Sequence, residues 1–162
     1  MPAPPDRMGP RCSVRGVRTT AERVADARSK LSGDADVWVA TGDSRGVAHL
    51  VPLSLCWHEG EIVVATEARS RTARNAETSA QARLALGSTR DVVSIEATAT
   101  IVTRADANPS LVDAYRARVG WDPGGDGGEW VFLRCKPVRV QVWRGVDEIA
   151  GRTVMRRGTW IE

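Results

Sequence analysis

The chain has 162 residues, 42% of them apolar and 27% charged, and a formal net charge of +3. That size and balance fit one globular domain with a sizeable core, and with no run of eighteen apolar residues a membrane-spanning helix is excluded. The basic excess is almost all arginine, Lys30 and Lys136 being the only lysines; without an arginine-and-aromatic stripe it calls for no nucleic-acid partner.

The opening "MPAPPDRMGPRCSVRG" has three prolines in its first five residues and no apolar stretch of the secretory kind. Residues 1–18 are therefore expected to be a disordered segment, and 19–162 a single domain. Cys12, Cys56 and Cys135 are scattered, which fits a reducing cytoplasm better than a disulfide framework. His49 and His58 have no ligand cluster around them, so no metal site is expected. No Gly-x-Ser-x-Gly elbow marks a hydrolase.

In chain order, Thr19 and Glu22 stand at capping-box spacing before a helix over 20–31, with Val24, Ala27 and Leu31 on one face. "VWVAT" (37–41) is a strand and "GDSRG" a turn. "VAHLVPLSLCW" (47–57) is a second strand, broken or bulged near Pro52, which cannot donate to a ladder. "EIVVAT" (61–66) is a third, and the three form a meander of hairpins. Ser70 caps a helix over 70–80, with Ala73, Ala76 and Ala80 as a small-residue face. Two alternating strands follow, 82–88 and 91–103. Asn108 and Pro109 open a third helix, with Leu111, Tyr115 and Val119 on one face. "WDPGGDGGE" (121–129) is a glycine-rich loop outside any strand-to-helix nucleotide motif. "WVFLRCKPVRVQVWRG" is one strand, or two broken at Pro137, and the tail forms a short hairpin around Arg157 and Gly158. Many hairpin-linked strands with helices as connections predict a mainly β fold, a closed or split antiparallel barrel.

The candidate site is the strand-to-helix passage "ATEARSRTARNA". A helix start offers free N–H groups and partial positive charge; Ser70 and Thr72 add hydroxyls, and Arg71 a fork that matches phosphate. Thr66, closing the preceding strand, can point the same way. The same residues also make an ordinary capped surface helix with solvated arginines. Elsewhere, Cys56 and Cys135 read as core and His58 as solvent-exposed. Trp38 and Trp57 read as barrel filling. Trp121 and Trp130 read as pocket wall or interface, and Trp143 as site or interface.

"GVAHLVPLSLCW", "VVAT", "SRTARNA" and the tail "KPVRVQVWRGVDEIAGRTVMRRGTWI" follow one another in the order and spacing of a known pattern. Over about 30–162 the chain resembles the pyridoxamine 5′-phosphate oxidase-like split-barrel family, and within it the actinobacterial branch that uses the deazaflavin F420. The resemblance implies a homodimer with cofactor sites at the interface. It places Thr66, Ser70, Arg71 and Thr72 on the cofactor phosphate, with Arg74 and Asn75 supporting the turn. His49, Leu50, Val51, Pro52 and Ser54 would lie along the ring, and Trp143 and Arg144 would reach a cofactor across the interface. The oxidases carry Arg and Lys where His49 and Ser54 stand and Lys where Thr72 stands, which speaks against pyridoxamine phosphate oxidation itself. The expected activity is hydride transfer between F420 and a small organic substrate. The alternatives are an FMN flavoprotein and a non-catalytic cofactor or haem carrier. No catalytic residue is assigned.

Overall fold

The computed structural model describes residues 16–125 and 127–161. Helix α1 (Thr20–Gly33) starts at the predicted capping box, with Glu22 N–H donating to Thr19 Oγ1 and Thr19 N–H to Glu22 Oε2. Its buried face is Arg23, Ala27 and Leu31, with Val24 half-buried against the core. Strands β1 (Asp36–Gly42) and β2 (Ala48–Ser54) form the first hairpin. Asp43 closes its turn by accepting the N–H groups of Arg45 and Val47.

The expected break at Pro52 falls elsewhere. Pro52 stays in β2, opposite Trp38, because β2 is an edge strand and can lack a donor on one side. The chain leaves the sheet at Leu55, 1% exposed, whose N–H bonds Ala35 O. Short β3 (Cys56–His58) then pairs with β4 (Glu61–Glu67). Helix α2 (Arg71–Ser79) follows, then β5 (Gln81–Ser88) and the long β6 (Asp91–Thr103). Ala73 and Ala76 are buried as expected, but Ala80 is exposed: it ends α2 in the left-handed conformation and so leaves the helix face.

Helix α3 (Pro109–Val119) leads through the 121–129 loop to β7 (Trp130–Trp143). Pro137 does not split β7. It sits where β4, last paired at Cys135, has left and β8 (Thr153–Arg156), first paired at Val140, has not arrived. A bulge absorbs Val138 there, since Ala97 faces Pro137 while Glu96 faces Arg139. The tail hairpin of β8 and β9 (Thr159–Trp160) turns at Arg157 and Gly158 as expected.

The sheet runs β2-β1-β5-β6-β7-β4-β3, antiparallel throughout and not closed, with β8 and β9 added beyond β7. Its curled interior holds the main core, from Leu31, Val37 and Val39 to Ile95, Val140 and Met155. A second cluster packs α3, through Leu111, Val112 and Tyr115, on Val63 and Phe132. Trp57 packs on the main core, whereas Trp38, expected inside, is 48% exposed. Val37 and Val39 take the interior row of β1, so alternation turns Trp38 outward. Among the described residues, no helix is long and apolar enough to cross a membrane. Residues 1–15 of the expected disordered segment lie outside those described. Arg18, at the expected end of that segment, is 8% exposed and bonded to Glu148.

Candidate functional site

The strand-to-helix passage forms a compact polar corner. Thr66, the last residue but one of β4, donates its hydroxyl to Ser70 Oγ at 2.9 Å. Ser70, extended at φ −65°, accepts the N–H of Ala73 at 3.0 Å and so caps α2. The capped turn leaves the N–H groups at the helix start without intrahelical acceptors. Asn75 then ties α2 to β1, donating to Thr41 Oγ1 at 3.2 Å. Thr41 pairs with His49, which brings the start of β2 to the same end of the barrel. One corner therefore gathers His49, Thr66 and the first turn of α2, together with Thr41, which sequence reasoning did not single out.

Within that corner the side chains divide by access. Arg71 is exposed and, among the described residues, has no hydrogen bond or ion pair. Its charge helps hold Asp43 below the usual carboxylate range, an effect due first to the Val47 N–H that Asp43 accepts. Arg74 is exposed but committed, donating to Arg69 O at 2.6 Å across the turn. Thr72 is 1% exposed, because the second residue of α2 faces the sheet. Its hydroxyl therefore lies against the sheet rather than at the open surface of the turn. Thr66, at 7%, and Asn75, at 9%, are also largely enclosed.

On β2, alternation puts His49 and Val51 on the row shared with Val39 and Val37, and Leu50 and Pro52 on the outer row beside Trp38. Leu50 is 58% exposed. Ser54 lies at the far end of the strand, donating to Asp36 Oδ1 at 3.2 Å, and does not join the corner. Trp143 and Arg144 are farther still. Trp130 pairs with Glu67 beside the corner, whereas Trp143 stands at the opposite end of the same strand. Arg144 is engaged within its own chain, by Asp26 at 3.1 Å and Asp91 at 3.3 Å.

The end of the glycine-rich loop abuts the corner. Ala68 N–H donates to Glu129 O at 2.8 Å, and Trp121 stacks edge-to-face on Trp130 at 4.6 Å. His58, expected in solvent, is half-buried with its Nε2 3.5 Å from Ser110 Oγ, because α3 covers the β3–β4 turn. Tyr115 supports the corner from behind: its hydroxyl accepts the N–H of Ala65, next to Thr66. No sequence pattern announces that bond. Among the described residues, no group of three His, Cys, Asp or Glu can hold a metal ion.

An open antiparallel barrel, with a capped helix start exposed at one corner of its rim, defines the split-barrel class. Residues 24–144 match the family model for pyridoxamine 5′-phosphate oxidase, and the chain belongs to that family. No curated protein matches it. Solved structures of the same fold include a conserved hypothetical protein of Mycobacterium tuberculosis, 22% identical over 79% of this chain and 86% of that one, at a TM-score of 0.60. The haem storage protein HutZ of Vibrio cholerae is 18% identical over 77% and 98%, at 0.64. An F420 reductase is 13% identical over 70% and 94%, at 0.57. At these identities the likeness shows the fold alone.

Proposed function

We propose that the chain is an F420-dependent oxidoreductase of the cytoplasm, which binds the deazaflavin between two copies of itself and passes hydride to a small organic acceptor. The observation that carries the reading is the start of α2, capped by Ser70 and flanked by an exposed Arg71 with no hydrogen bond or ion pair among the described residues. The residues fit a phosphate group of low charge. One free guanidinium and a helix N-terminus suit a singly charged phosphodiester such as that of F420. The more highly charged monoester of FMN would draw on cations that His49, Ser54 and Thr72 do not supply.

When bound, reduced F420 supplies the hydride from C5 of its ring. Arg71 and the first-turn N–H groups hold the phosphate, while Ser70 keeps the turn rigid. The free edge of β2 over His49–Pro52 offers backbone groups to the ring. Acceptor and product exchange protons with solvent, since no side chain of the corner is placed as an acid. The uncovered apolar face of Trp38, Leu50 and Pro52 supports dimerisation, and in the dimer Trp143 approaches the other copy's cofactor.

Titration with F420, FMN and haem, each alone, tests the reading through tryptophan quenching and absorbance. Tighter binding of F420 than FMN, with no Soret band, is expected. Preference for FMN would make the protein a flavoprotein, a Soret band a haem carrier, and no binding would reduce the corner to a capped helix.

A further inference from the structure

The tail of the chain is held by charges from its beginning. Glu148 is 3% exposed, in a 3-10 turn (Val146–Glu148) that follows β7. Its Oε1 accepts Arg18 N–H at 3.1 Å and Arg18 Nε at 3.0 Å, and its Oε2 accepts the Arg18 terminal nitrogen at 2.6 Å. Oε2 also accepts the backbone N–H of Arg144 at 2.8 Å. Arg23, 4% exposed, reaches the carbonyls of Glu148 and Ala150 at 3.4 and 3.3 Å, and its Nε has no partner among the described residues. Asp26 pairs with both Arg18 and Arg144.

A buried ion pair adds little stability over an apolar pair of the same volume, whereas it fixes geometry strictly. Here the geometry fixed is that of residues 144–150: the Arg144 N–H is tied to the Glu148 carboxylate four residues on, and that carboxylate and two carbonyls of the segment are joined to Arg18 and Arg23, more than a hundred residues away. We propose that Glu148, clamped by Arg18 and Arg23, is a positioning residue: it sets the Trp143–Arg144 end of β7 in the pose that meets a cofactor bound by the other copy. The ligand half of this inference rests on the function proposed above.

The test compares the full chain with Glu148→Gln, Arg18→Lys and the paired replacement Arg18→Met with Glu148→Leu. The pair leaves no orphaned charge and so keeps the fold even where a single change does not. Hydrogen exchange and F420 affinity are read on each. Exchange at amides 144–150 is expected to rise at least tenfold in the paired variant with α2 unchanged, and the F420 Kd to rise at least fivefold. Arg18→Lys, which keeps the charge without the fork, should fall between. Unchanged exchange at 144–150 overturns the clamp, and faster exchange with an unchanged Kd overturns its role in positioning. Arg71→Ala separates the two readings: it weakens F420 binding and leaves exchange at 144–150 alone. If the unaltered chain binds no F420, the ligand half falls with the proposed function, and the exchange data decide the clamp.

Discussion

Replacing Tyr115 by Phe removes one oxygen from the back wall of the candidate site. Tyr115 is 1% exposed, its ring edge-on to Phe132 at 5.4 Å, and phenylalanine keeps that contact. What is lost is the acceptor for Ala65 N–H at 3.2 Å. β3 pairs with β4 only as far as Val63, so the N–H of Ala65 has no strand on that side. Burial pushes the phenol up to about 12, so the hydroxyl is neutral in any ordinary buffer. Stranding a buried N–H costs about 1–3 kcal/mol. At roughly 2–4 °C per kcal/mol for a chain of this size, Tm should fall by about 2–12 °C. Circular dichroism melts of both proteins at pH 7 measure it, and the exchange rate of the Ala65 amide shows where the loss sits. A Tm within about 1 °C of the parent, with Ala65 still protected, would refute the assignment of this bond as the tie between α3 and the β4 end.

Other consequences follow from the same contacts. Ser70→Ala removes the α2 cap and the partner of Thr66, and should cost about 1 kcal/mol in a denaturant titration while weakening F420 binding. The Arg18 fork lowers Glu148 from an ordinary 4.5 to about 2 against the opposing effect of burial, so its contribution to stability is complete above pH 4.5 and is lost as pH falls toward 2. Acid titrations of Glu148→Gln should accordingly lack the part of the pH dependence that the parent shows in that window. Trp38→Arg, on the uncovered outer face, should leave the melt almost unchanged and yield a monomer by light scattering, whereas an equal dimer in both proteins would place the interface elsewhere.

Local signals carried the elements well, because caps and alternation are written within a few residues. Thr19 with Glu22, Ser70, and Asn108 with Pro109 each start a helix where they stand. Alternation sorts the rows of β5 and β6 but does not say which face another element covers, and so the sequence alone does not turn Trp38 outward. Prolines misled for a related reason: whether Pro52 or Pro137 breaks a strand depends on which neighbour is present at that rung, a property of the sheet. In the site, Ser70 as a helix cap and Thr66 at the strand end marked the corner, and Asn75 entered through the family resemblance. The burial of Thr72 was hidden, since helix phase against the sheet is set by tertiary packing. Arg18 and Glu148 are 130 residues apart, and their pairing depends on the whole path of the chain.

The affinity of F420 for the parent and for Arg71→Ala, measured side by side, tests the central claim most directly. Arg71 is exposed and has no hydrogen bond or ion pair among the described residues, so its loss leaves the fold intact and reports on the ligand alone. The account predicts binding in the parent and a Kd at least about tenfold higher in the variant, equal to about 1.4 kcal/mol. Equal affinity in the two proteins would contradict it, by showing that the start of α2 does not hold the cofactor phosphate.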